Sequence, residues 1–175
     1  QTSSGSGTIT LGQSGETITI PTGTTVSGAM SNTPAFFARL SANQTTSDNA
    51  YVKIQCDEEI LDSNDNYDNS TNYRFTPTVA GKYYVYGYVA GDGGNSTLVH
   101  TQTMIYKNGS AYQQNYAIPA NNYGATDGPF VGCVVDMNGT TDYLELYVRT
   151  NLSSGTPKAF GTNFTSFGAY KLIGV

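Results

Sequence analysis

Tryptophan is absent from the 175 residues, and histidine occurs once, as His100. A nucleophile needs a base beside it, and "STLVHTQTM" offers no Gly-x-Ser-x-Gly, His-Glu-x-x-His or glycine-rich phosphate loop. The expectation is a non-enzymatic protein in which His100 is an ordinary strand residue. Charge is scarce as well. Eight Lys and Arg stand against thirteen Asp and Glu, a net charge of −5, and the basic residues form no stripe. Nucleic acid, whose phosphates a binding protein must neutralise, is therefore not an expected partner. No apolar run approaches the ~18 residues that a membrane span requires, so no membrane insertion is expected. Only two cysteines occur, without a Cys-x-x-Cys spacing, which removes zinc and dithiol redox chemistry. Cys56 and Cys133 each fall on the apolar side of an alternating stretch, and two readings stay open: buried thiols, or a disulfide between strands. The chain starts at Gln1 without an initiator Met or signal-peptide pattern, as a processed product or a part of a longer chain does.

What is abundant is Tyr (14), Gly (20), Thr, Asn and Ser. Thr, Tyr and Val interrupted at short intervals by Gly and Asn suit strands joined by tight turns, and no amphipathic helical segment is present. The class is all-β. Residues 1–33 contain no aromatic residue and carry a nine-residue echo, "TITLGQSGE" then "TITIPTGTT". Its apolar side chains are Ile9, Leu11, Ile18 and Ile20. Four such side chains cannot offset the entropy of ordering that much backbone, so the echo needs neighbours to complete its core. Residues 1–33 are read as a β-repeat stem or attachment segment, ordered only in an assembly, and 34–175 as a head domain.

The head reads as eight to ten short strands with turns every ~8–12 residues, a sandwich or jelly roll. "AFFARL" sets Phe36, Ala38 and Leu40 on one face, and "YVKIQC" sets Val52, Ile54 and Cys56 inward. "TMIYKNGSAYQQ" is a hairpin around Asn108-Gly109, the pair suited to turn residues of positive φ. A second hairpin is expected around Asn138-Gly139, joining "FVGCVVDM" to "YLELYVR". The acidic stretch from Asp57 to Asp68 is expected to be a solvated loop whose Asn and Asp supply turns. It lacks the Gly and Glu of an EF-hand loop, so no cofactor is assigned, calcium being the one ion left open.

"NYDNSTNYRFTPTVAGKYYVYGYV", "IYKNGS" and the closing "FGAYKL" resemble the globular head of the complement first-component q subunit. The matching positions are Asn66-Tyr67-Asp68, Phe75-Thr76, Pro77, Ala80-Gly81-Lys82-Tyr83, Lys107-Asn108-Gly109 and Phe167 through Leu172. The resemblance implies a tumour-necrosis-factor-like jelly roll and a homotrimer. In "KYYVYGYVA", Tyr83, Val85, Gly87 and Val89 match the family's core face, while Tyr84, Tyr86 and Tyr88 fall on the side that in the family looks onto the threefold axis. Three aligned tyrosines on a monomer surface are also the kind of patch that marks an interface.

The whole arrangement, stem followed by head, is similar to fibre and decoration proteins of tailed, especially marine, bacteriophages. That likeness implies a virion-surface structural protein, bound to other virion proteins through its N-terminal segment and adhering to a host surface or capsid. The loops rich in Asn, Gly and Tyr suit sugar recognition and give Asn95, Tyr112, Asn115, Tyr116, Asn121, Asn122 and Tyr123 as receptor-contact candidates, with a host cell-surface glycan as the partner. The alternative reading is a secreted bacterial carbohydrate-binding module.

Overall fold

A computed structural model describes residues 14–24, 32–92, 98–119 and 126–173. Its strands in chain order are β1 (Ala35–Arg39), β2 (Gln44–Thr45), β3 (Val52–Lys53), β4 (Glu58–Asp62), β5 (Tyr67–Asp68), β6 (Arg74–Phe75), β7 (Gly81–Tyr88) and β8 (Gly91–Asp92). After these come β9 (Leu98–Lys107), β10 (Ser110–Ala117), β11 (Thr126–Asp127), β12 (Phe130–Met137), β13 (Leu144–Leu152), β14 (Lys158–Ala159) and β15 (Ser166–Lys171). No helix is present among the described residues, in keeping with the all-β expectation.

Two sheets form the sandwich. One has five strands in the order β12-β7-β15-β1-β4, and every pair in it is antiparallel. The other runs β10-β9-β13-β6-β5, with β3 paired to β13 off that path. A smaller sheet of two-residue strands, β11-β8-β14-β2, completes the fold. It sits close to the second sheet: a Cβ added to Gly91 would meet the Thr101 Oγ1 at 2.6 Å, so only glycine fits there.

Alternation explains the core. Phe36, Ala38, Tyr83, Val85, Val131, Val135, Phe167 and Ala169 point inward from the five-stranded sheet, and Ile105, Leu144, Leu146 and Val148 meet them from the other. Phe36 is the hub, stacked on Tyr67 at 4.6 Å and on Phe75 at 4.5 Å, with Phe167 edge-on at 4.9 Å. Tyr67 keeps its hydroxyl satisfied by donating to the Cys56 carbonyl at 2.9 Å. Both cysteines are free thiols, Cys56 buried and Cys133 half-buried, and burial pushes both thiol pKa values up.

Two expectations are corrected. The Asn138 turn is no hairpin, because β12 pairs with β7 while β13 pairs with β9 in the opposite sheet. Val131, Val135, Leu144 and Leu146 all point into one core, but from opposite sheets rather than along a ladder; inward alternation looks the same in both cases. Only Gly139 has a positive φ there (73°), and the Asn138 Oδ1 accepts from the amides of Thr140, Thr141 and Asp142. At Asn108-Gly109 both residues do have positive φ, 52° and 74°, and the expected hairpin forms between β9 and β10.

The acidic stretch is the second correction, since Glu58–Asp62 forms β4, paired with β1. Its turn chemistry is otherwise as read. Asp68 accepts from the amides of Thr71, Ser70 and Asn72, and these bonds, Thr71's foremost, hold its carboxyl far below the ordinary range. No group of three or more metal-ligating side chains occurs among the described residues.

Candidate functional site

The register of the five-stranded sheet assigns one set of side chains to its outer face. Directly opposed residues share a face, so one row reads Phe130, Tyr88, Ser166, Arg39, Glu58 from β12 to β4. The next reads Gly132, Tyr86, Gly168, Phe37, Leu61, and the third Val134, Tyr84, Tyr170, Ala35. At one end lies the Lys82–Asp136 ion pair, 2.7 Å long. Charge therefore sits at the ends of this face, and its middle is aromatic and aliphatic.

The rings form a continuous layer. Tyr86 stacks with Tyr84 at 6.1 Å, with Phe130 at 6.4 Å and with Phe37 at 6.4 Å, while Tyr84 reaches Tyr170 at 5.7 Å. Two glycines make room for this. A Cβ on Gly168 would lie 2.5 Å from the Tyr86 Cζ, and one on Gly132 would lie 2.6 Å from the Tyr84 hydroxyl. The rings thus lie down on the sheet, broad side outward. Tyr84, Tyr86 and Tyr88 are half-buried, whereas Phe130, Val134, Tyr170 and Leu61 are exposed. Burial, then the neighbouring phenols of Tyr170 and Tyr84, raise the Tyr86 pKa. A contiguous apolar layer drawn from all five strands is the kind of surface that marks an interaction site. Sequence reasoning found the three tyrosines of β7 but missed Phe37, Leu61, Phe130 and Tyr170, which belong to four other strands and join only through register.

The outer face of the second sheet has the opposite chemistry. Its rows run Ala111, Tyr106, Glu145; then Gln114, Met104, Tyr147, Lys53; then Tyr116, Gln102, Arg149. His100 and Asn151 form the next pair. Glu145 is ion-paired to Lys53 at 3.0 Å, Gln102 donates to Gln114 at 2.7 Å, and Tyr106 stacks on Tyr147 at 3.9 Å. His100 is buried in a strand, its ring tilted against Tyr116 at 4.8 Å; burial, then the nearby Arg149 charge, hold its pKa below the ordinary value.

The receptor-contact candidates do not converge. Asn95, Asn121, Asn122 and Tyr123 lie outside the described residues. Tyr112 and Asn115 reach across to β12, donating to the carbonyls of Val134 (3.4 Å) and Phe130 (2.7 Å). They tie the rim of one sheet to the edge of the other. Tyr116 points to the opposite side, onto His100. Of the stem residues, Ile9 and Leu11 lie outside the described residues, and Ile18 and Ile20 are 57% and 47% exposed.

Solved structures share this architecture. Murine APRIL at pH 5.0 is 13% identical, with 79% of this chain and 99% of that one covered at a TM-score of 0.56. The Eiger TNF of S. frugiperda is 10% identical, with 81% and 93% covered at 0.57. The globular domain of zebrafish complement 1qA is 14% identical, with 79% and 97% covered at 0.53. No protein-family model matches the chain, and no curated protein matches it. The likeness is one of fold, and it bears out the tumour-necrosis-factor and complement-head jelly roll that the sequence motifs implied.

Proposed function

We propose that this chain is a non-enzymatic structural protein of a tailed bacteriophage virion, a homotrimeric fibre or decoration whose jelly-roll heads adhere to a host surface or capsid. The observation that carries the trimer is the aromatic layer over the five-stranded sheet. Rings spread flat over glycines, with charge kept to the ends, suit a surface that loses its water in an assembly. A sheet whose two faces are both apolar has one face too many for a monomer. Ile18 and Ile20, exposed in the single chain, gain cover in the same way when three stems run side by side. The virion role rests on the sequence resemblance of stem plus head. Multivalent display is the mechanism: weak contacts on a rigid trimer gain avidity without new interactions.

Sedimentation velocity of the full chain is the direct test. A trimer that the triple change of Tyr84, Tyr86 and Tyr88 to Ser converts to a folded monomer supports the assembly face, and a trimer indifferent to that change refutes it. Immunogold labelling of purified phage particles tests the location. Protein found only off the particles, acting as a soluble monomer on sugars, favours the secreted-module alternative.

A further inference from the structure

The outer face of the six-stranded sheet holds a strip of groups that assembly leaves unused. Across β9 and β13, His100 faces Asn151 and Gln102 faces Arg149, with Tyr116 of β10 beside Gln102. The strip's floor is polar and closed, His100 and Gln102 each being 7% exposed, while its flank at Tyr116 is 49% exposed. Beneath the Tyr116 ring, the His100 Nε2 is buried and has no hydrogen-bond partner. That is an unsatisfied polar atom within a built cluster.

Arg149 is the strip's charge. Its Nε donates to the Asn49 Oδ1 at 2.9 Å and the Asn49 carbonyl at 3.3 Å, and its guanidinium lies 5.3 Å from the centre of the Tyr51 ring. These contacts fix its plane and leave its terminal nitrogens for another acceptor. None of the ion pairs among the described residues includes it. Asp48 accepts from the Leu152 amide at 2.8 Å and forms no ion pair with Arg149. A chain of net charge −5 thus presents an oriented guanidinium outside any ion pair among the described residues, in the same register row as the exposed Tyr116 with Gln102 between them.

Those are complementary to one ligand chemistry. A held guanidinium matches a carboxylate in bidentate geometry, an aromatic ring stacks on the apolar face of a sugar, and side-chain amides bind hydroxyls. We infer that this strip binds a carboxylated saccharide, a uronic- or sialic-acid unit of a surface glycan, with its carboxylate on Arg149 and its ring against Tyr116. The inference deepens the adhesive part of the proposed function and rests on it. The strip lies on the sheet opposite the aromatic layer, so a trimer displays three copies.

The test is a saccharide array of carboxylated glycans and their carboxyl-reduced counterparts, probed with the full-length protein, its oligomeric mass being measured in parallel. Carboxylated members are expected to be retained over the reduced ones. Arg149→Gln is expected to weaken retention about tenfold or more, the scale of a lost charge-assisted hydrogen bond, and Tyr116→Ala to weaken it with the assembly intact. Equal retention of neutral sugars overturns the carboxylate assignment, and retention indifferent to both changes places the contact elsewhere. An intact trimer that retains nothing sinks this site while leaving the assembly reading standing.

Discussion

The two outer faces of the sandwich are built from the same alternating strands and end with opposite chemistry. On the five-stranded side, outward positions are Tyr, Phe, Val and Leu, with glycines beneath the rings. On the six-stranded side they are Gln, Arg, Glu, Lys and His among tyrosines, joined by an ion pair and an amide pair. Tyrosine is common to both, so composition does not separate them; its neighbours do. Where the neighbour is glycine the ring lies flat and offers apolar area. Where the neighbour is Met104, Glu145 or another tyrosine, the ring packs sideways, and polar groups hold the face together. One face offers apolar area for a partner to cover, and the other pairs polar groups within itself.

The comparison breaks most sharply with one charge placed on each face. Tyr86→Asp puts a carboxylate in the middle of the aromatic layer, where burial without a partner costs several kcal/mol. It is expected to give a folded monomer by sedimentation velocity. Tyr147→Asp, its counterpart on the second sheet, is expected to leave the proposed trimer intact and to lower the urea midpoint only modestly, having lost one stacking partner worth about 1 kcal/mol. Dissociation by both, or by neither, would remove the distinction drawn between the faces.

A smaller change sharpens the same point. Gly168→Ala introduces a methyl 2.5 Å from the Tyr86 Cζ, which forces the ring off the sheet. Overpacking of this kind costs about 1–3 kcal/mol, and the dissociation constant of the proposed trimer is expected to rise accordingly. The double change Gly168→Ala with Tyr86→Ala is expected to be no worse than Tyr86→Ala alone, because the clash has gone. Strict additivity in that cycle would show that the glycine matters for some reason other than the ring above it.

Much of this architecture is legible in the order of the residues alone. Alternation in "AFFARL" and "KYYVYGYVA" assigns Phe36, Ala38, Tyr83 and Val85 inward, because a pleated strand sends every second side chain to one face. Turn chemistry locates the Asn108-Gly109 hairpin for the same local reason. Sheet membership is not local. β12 and β13 alternate alike whether they pair or face each other across the core, so the Asn138 connection reads as a hairpin although it crosses between sheets. Acidity likewise hides the β4 strand, since charges on an edge strand face water and guard against stray pairing. The aromatic layer and the Arg149 strip both need register between distant strands, which one sequence does not display.

The smallest expected effect concerns His100, buried on the polar face. Burial, then the Arg149 charge, lower its pKa from the ordinary 6.5, with Asp48 opposing, while Tyr116 covers its ring. The folded state therefore resists protonation where the unfolded chain accepts it. Stability should be highest above about pH 7 and fall as pH drops through 6.5, levelling once the folded-state pKa is passed. Asp57, Asp68 and Asp142 act in a separate, lower window, because their pKa values are depressed below 3.8 and their contribution is lost only in stronger acid. Urea midpoints at about pH 7.5 and about pH 5 read chiefly the histidine window, Glu59 with its raised pKa acting in the opposite sense at the lower end. His100→Gln should flatten the difference between them. An unchanged slope would mean that some other group carries it, and that this imidazole binds its proton equally well in the folded and unfolded chain.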